Sequence, residues 1–468
     1  LKLNRFNSKY IIYFFIALLC VGSSFAISNG DLRKLVGIEI YNRDQALIRE
    51  IRQIELTKGH NIVDFHSIAD GIYGHTAHVQ ALDHRDKITS LSLGYHYDLI
   101  DNDKLISRFV GKWFTFSTDD IEYEGKLLKV DDYNLFMQPD TNDPSIEVVD
   151  LSSLSEMIYS EIPDGLFIEP TLRWEVESKK KLKKLDVELT YLTSDITWYC
   201  DYRAVLKNDS MLELSASYTI DNQLDLSFPE ANVAFVAGST HRSSDPENSE
   251  PETIRRSGRK RGSSENTAQR HFEYYRFPLK RTVTLNHNQT MQIPFFSNDK
   301  VAYRKRYVFP HLLQNQQVNV ILEISNNVES GLGQPLPEGD WGIYRRIENE
   351  TISFLGEDYV MATPVGHAVE LNIGTSFDVK ARRTRIAQSR PERDKHEEIW
   401  RVEVTNSRDE ATEILVEQRV FGYFQVIDSN VDGKEITYNK ERADMLIFPV
   451  RVSANSVSIL EYSILYGY

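Results

Sequence analysis

Apolar residues recur at every second position through much of this chain, and that spacing limits its fold more than any other feature. Leu185, Val187, Leu189 and Tyr191 alternate with Asp186, Glu188 and Thr190, and Leu212, Leu214, Ala216, Tyr218 and Ile220 repeat the pattern. Val318, Val320, Leu322 and Ile324 follow it, as do Trp400, Val402 and Val404. Near the end come Leu446, Phe448, Val450 and Val452, then Leu460, Tyr462, Ile464 and Tyr466. Successive side chains on a strand point to opposite faces, so each series supplies one buried face and one wet face. Such strands pack as antiparallel sheets in sandwiches. Stretches with a 3.6-residue period are scarce. The best helix candidate is Leu151–Tyr159, with Ser152 or Ser153 placed to cap it. The expected fold is mostly β, built of antiparallel β-sandwich domains with little helix.

At 468 residues the chain has room for two to four globular units. Its first 26 residues read as a signal peptide. Lys2, Arg5 and Lys9 form a basic front, Tyr10 to Val21 an apolar run, and Ser24-Phe25-Ala26 a small-residue cleavage site. The apolar run is shorter than the ~20 residues that a membrane span needs. Cleavage after Ala26 takes the net charge from −15 to −18, because three basic residues leave with the segment. It also leaves Cys200 as the only cysteine, so the exported chain has no internal disulfide and its core must hold the fold. An acidic chain of this kind is no nucleic-acid binder, since phosphate neutralisation needs a surplus of Lys and Arg.

The remainder reads as three parts. Residues 35–97 form an N-terminal β region. Residues 98–164 form a compact unit with short strands at Val110–Phe116, Tyr123–Leu128 and Leu135–Met137, in the manner of a small SH3-like or Sm-like barrel. Residues 166–468 are long enough for two sandwich layers or two subdomains. Ser239 to Arg270 interrupts the pattern with almost no apolar residue, a composition that reads as a disordered loop joining two strands. Arg255, Arg256, Arg259, Lys260 and Arg261 make its centre the one dense basic run of the protein. That run is either a solvated loop or a contact for an anionic partner such as a lipid surface or a polysaccharide.

Chemistry-bearing motifs are few. Six of the twelve histidines lie between His60 and His96, among them His75 and His78. Three residues apart on a strand they face opposite ways, which favours surface or half-buried histidines over a metal site. Asp428, Asn430 and Asp432, followed by Gly433, match the opening of a calcium loop, but the twelfth position is Asn439 where a closing carboxylate belongs. Asp-Gly between two short apolar runs is equally a hairpin signal. Cys200 lies on one strand face with Trp198 and Tyr202, the setting of a packing residue. There is no Gly-x-Ser-x-Gly elbow, phosphate loop or dinucleotide fingerprint. No residue is selected as catalytic and no cofactor is implied.

Several stretches together resemble an uncharacterised family of exported β-rich proteins, domain of unknown function 4139 (DUF4139), which includes mucoidy-inhibitor-like proteins. The stretch from Tyr191-Leu-Thr through Trp198 to Tyr202 is similar to its signature strand, with Asp195 where Gly is common and Cys200 in place of a small Ala. Ala231 to Gly238 resembles its "Ala-x-Leu-x-Leu-x-Ala-Gly" strand, and Leu336-Pro337-Glu-Gly339 with Tyr344 resembles its Leu-Pro-x-Gly turn. Leu355-Gly-Glu357, Gly374 and Phe377-Asp378-Val379 follow in the family's order. The helical hairpin of mucoidy-inhibitor-like members has no counterpart here, and the small unit stands in its place. The resemblance implies export and a sandwich fold, and gives Tyr191, Trp198, Tyr202, Gly238, Pro337, Gly339, Tyr344 and Asp378 as structural signatures. The leading expectation is an exported, periplasmic or cell-surface scaffold or binding protein without catalytic activity. Its rivals are an envelope-polymer hydrolase using a carboxylate pair and a calcium-dependent adhesion module.

Overall fold

The computed structural model describes residues 26–29, 32–42, 44–118, 121–139, 144–238, 269–271, 274–311, 317–347 and 351–467. The basic front of residues 1–25 and the Arg255–Arg261 run lie outside the described residues. Of the described residues 68% are strand and 4% helix, so the fold is mostly β, with several antiparallel sheets. No helix among the described residues is long and apolar enough to cross a membrane.

The chain divides into two compact units. The first comprises residues 1–35, 50–68 and 74–190, the second residues 36–49, 69–73 and 191–468. Three of the boundaries fall inside the strands Leu32–Tyr41, Gln45–Leu56 and Leu182–Thr193, and the other two in the connection between Gly59–Phe65 and His78–Ala81.

In the first unit, Gly59–Phe65 lies between the parallel Ala26–Asn29 and the antiparallel Thr171–Ser178, with Ile88–His96 beyond. Alternation buries Val63, Phe65, Leu172, Trp174 and Val176. Glu50 and Arg52 share the buried face of their strand and are 0% exposed. The Arg52 guanidinium reaches Glu50 at 2.5 Å and donates to the His66 carbonyl at 2.8 Å, while Arg33 approaches Glu50 at 3.4 Å. A carboxylate this deep is tolerable only when ion-paired and hydrogen-bonded.

The same unit holds a five-stranded antiparallel sheet in the order 147–150, 134–138, 121–130, 113–118, 156–158. Phe109, Phe114, Phe116, Leu127, Leu135 and Met137 form its core. The helix expected over Leu151–Tyr159 is a correction. A single 3-10 turn, Leu151–Ser153, gives way to the strand Glu156–Ile158. The Asp150 carboxylate accepts from the Ser152 N–H at 2.8 Å, and pairing of Met157 with Phe116 then pulls the chain into the sheet. The helix of this region is Asn102–Arg108, whose Asp101 cap accepts from the Lys104 N–H at 2.8 Å.

The second unit contains a five-stranded sheet in the order 289–302, 211–222, 196–206, 339–346, 352–360. Its inner face meets Phe228–Ala237, which pairs in parallel with residues 37–41 and antiparallel with Tyr274–Pro278. The ring of Phe235 lies 5.0 Å from Trp198 and 4.3 Å from Tyr218, which packs the two layers into a sandwich. Residues 269–271, at the end of the segment expected to be a loop, form a short strand beside Tyr274–Pro278.

A ten-stranded sheet completes this unit. Its long members are Ala368–Glu392, Lys395–Asn406, Met445–Val452 and Ser456–Gly467. It folds over on itself, so Phe448 and Tyr462 stack at 4.6 Å within a core of Trp400, Val402, Val416 and Val450.

Candidate functional site

The strand Ile196–Leu206 organises the region on which most of the expected signature residues converge. Trp198, Cys200 and Tyr202 face inward and are buried. Burial raises the Cys200 thiol far above its ordinary value, so it stays protonated and unreactive. Gly339 pairs in parallel with Cys200, and a Cβ on it would collide with the Cys200 carbonyl oxygen. The Tyr202 hydroxyl donates to the Pro337 carbonyl at 2.8 Å, and its ring stacks on Trp341 at 4.3 Å and 9°. The Leu-Pro-x-Gly turn and the Trp198–Tyr202 strand are therefore two halves of one packing arrangement. Tyr191 is fully buried, its hydroxyl accepting from the Ala69 N–H at 3.4 Å. Gly238 has φ 135° and leaves room for the Tyr274 ring. Asp378 is exposed and contributes its backbone carbonyl to the Ser407 N–H at 2.8 Å.

Alternation sends Tyr199, Asp201 and Arg203 to the opposite, outward face. Register places Asp340 beside Asp201 and Tyr359 beside Asp340, while Tyr344 stands beside Phe354. Tyr199, Tyr359 and Phe354 are 43%, 53% and 56% exposed, far more than aromatic residues ordinarily are. Tyr344 carries the Arg203 guanidinium 4.9 Å above its ring.

The carboxylates between these rings are held in place. Glu338 accepts from the Asn42 amide at 2.5 Å. Asp201 accepts from the Thr219 hydroxyl and from Gln292 at 3.5 Å. Partial burial, then Asp201, Asp221 and Asp340, raise the Tyr199 phenol above its ordinary value. Burial, followed by Glu338 and Asp340, raises Tyr359, whose hydroxyl bonds to Glu338. Both phenols remain protonated donors, so the face offers flat rings, hydroxyl donors and carboxylate acceptors on one plane.

The other candidates are dispersed. Asp432 and Gly433, with φ 52° and 75°, are the two central residues of the turn between Tyr423–Val431 and Lys434–Glu435. This is a two-residue hairpin of the I′ kind. The Asp432 carboxylate accepts from the Ile459 N–H at 2.8 Å, and Asp428 accepts from Asn430 at 3.0 Å. His60 stands 3.6 Å from Glu175, His66 lies against Glu169, and the His96 ring packs on Phe167. Among the described residues no group of three or more His, Cys, Asp or Glu is placed to hold a metal. A shallow cleft of about 240 Å³ is lined by Arg304, Lys305, Arg306, Tyr307 and Glu413, with Arg306 already paired to Glu323 at 2.5 Å.

Sequence reasoning assigned the inward half of the Trp198 strand and passed over the outward half. The available signal was the same alternation, which sets an exposed tyrosine next to a tryptophan that must be buried. No protein-family model matches the chain, and no curated protein matches it.

Proposed function

We propose that this is an exported cell-envelope scaffold or binding protein that acts without catalysis, and that it belongs with the DUF4139 proteins. Export rests on the basic, apolar and small-residue succession from Lys2 to Ala26. The family reading is supported by the contact of Tyr202 with Pro337 and the close approach of Gly339 to Cys200. The observation that carries the binding role is the outward face bearing Tyr199, Phe354 and Tyr359, since exposed aromatic clusters with polar surroundings mark interaction surfaces. A hydrolase reading calls for a deep cleft with convergent carboxylates. The acids here lie on an open sheet, a geometry suited to holding an extended partner.

Retention of the full chain on immobilised envelope polymer and envelope protein fractions tests this reading. Tyr199→Ala combined with Tyr359→Ala should cut retention at least tenfold at unchanged melting temperature. Equal retention of the variant and the parent protein would remove the face from consideration.

A further inference from the structure

The outward face carries more negative charge than its own side chains neutralise. Asp201 and Asp340 are register partners on adjacent parallel strands, so their backbones lie about 5 Å apart, and like charges placed side by side on a sheet are unfavourable. Asp221 and Glu338 extend the acidic band, and their influence on Tyr199 and Tyr359 shows that the field reaches both rings. Among the described residues no Lys or Arg pairs with Asp201 or Asp340, and Arg203 is occupied over Tyr344. The rings of Tyr199 and Tyr359 belong to strands separated by one other, Gly339–Arg346, a spacing of about 10 Å across the sheet.

We propose that this face binds a cationic polysaccharide, an extended polymer of amino sugars with free amines. Its pyranose rings stack on Tyr199 and Tyr359, and its ammonium groups settle over Asp201 and Asp340. This deepens the binding reading and rests on it. The two-strand spacing is close to the advance of two sugar residues along an extended chain, so every second sugar meets a ring and the sugar between them lies over the acidic strand Gly339–Arg346. Sugar hydroxyls find donors and acceptors in Gln292 and the two phenols. A basic peptide matches the charge but not the position. The strands Ile196–Leu206 and Gly339–Arg346 are each paired on both sides, and a peptide that adds to a sheet needs an unpaired edge.

Calorimetric titration of the full chain with a glucosamine hexamer tests the assignment against an N-acetylglucosamine hexamer and poly-lysine. The amine hexamer should bind at least tenfold more tightly than the acetylated one and weaken as salt rises. Asp340→Asn should lose about tenfold toward the amine hexamer at unchanged melting temperature, and Tyr199→Ala should lose as much toward both hexamers. Equal affinity for the two hexamers overturns the charge argument and leaves the binding reading standing. Poly-lysine binding that exceeds the amine hexamer and ignores Tyr199→Ala assigns the face to a basic peptide. No hexamer binding by a chain still retained on envelope material overturns the ligand class, whereas loss of that retention as well overturns the binding reading itself.

Discussion

The place where a side chain on Gly339 would sit is already filled by the carbonyl of Cys200. The constraint is one of space, because the obstructing atom belongs to backbone that cannot rotate aside. Gly339→Ala must push two parallel strands apart and break the Tyr202–Pro337 hydrogen bond, at a cost of about 3 kcal/mol. Guanidinium denaturation should show a lower midpoint, and an unchanged midpoint would mean that the strands do not pair as described. A second residue-scale test concerns Glu50 and Arg52, both 0% exposed. Glu50→Leu strands a buried guanidinium and should cost about 3–5 kcal/mol, while the double change with Arg52→Met should recover most of that loss. Additive losses in a urea double-mutant cycle would contradict the pairing. The sequence hinted at the first of these residues through its Leu-Pro-x-Gly turn. It carried no sign of the second, because an isolated Glu-x-Arg on a strand ordinarily points to water.

Elements were more legible than their partners. Alternation marked Leu212–Ile220, Leu446–Val452 and Leu460–Tyr466, and every apolar residue of those series is buried. What alternation cannot carry is pairing. Nothing in residues 196–206 says that 339–346 will lie parallel beside them, because register is settled by interdigitating side chains such as Tyr202 and Trp341. The short helix was misplaced for a related reason, since Leu151, Leu154 and Met157 at three-residue spacing suit a 3-10 turn running into a strand. The candidate face suffered most, because its aromatic residues come from two strands more than a hundred positions apart. At the Asp432-Gly433 hairpin the positive φ of Gly433 predicts that Gly433→Val destabilises by about 1–2 kcal/mol. Because the Asp432 carboxylate already accepts from Ile459, EDTA should leave the melting temperature where it is. A fall of several degrees, reversed by Ca²⁺, would reinstate the calcium loop.

On the scale of the molecule, each unit is assembled from separated stretches of chain. Residues 191–468 expressed alone lack 36–49 and 69–73, and so lack the strand that pairs with Asn232–Val236. The exposed edge beside Phe235 should make that fragment aggregate or bind hydrophobic dyes, and a soluble, cooperatively melting fragment would contradict the division. Acid should also weaken the whole protein. Burial, then Arg383, holds His311 below its ordinary 6.5, and burial with Arg173 does the same for His96. The unfolded chain therefore binds these protons first, and stability is lost as the pH falls through 6.5 toward the folded values. His311→Gln should flatten the dependence of melting temperature on pH between about 7 and about 5. An unaltered slope would remove His311 as a contributor.

The interleaving of the units also sets a timetable. Asn232 donates to the carbonyl of Val36, which left the ribosome 196 residues earlier. At about 5–20 residues per second, the first strand of this sandwich waits roughly 10–40 s for its neighbour. Throughout that interval Ile38 and Ile40 lack the strand that pairs beside them in the finished sheet. Synthesis order therefore makes a demand of its own: the side of the early strand that receives Asn232–Val236 has to stay open until the later strand arrives.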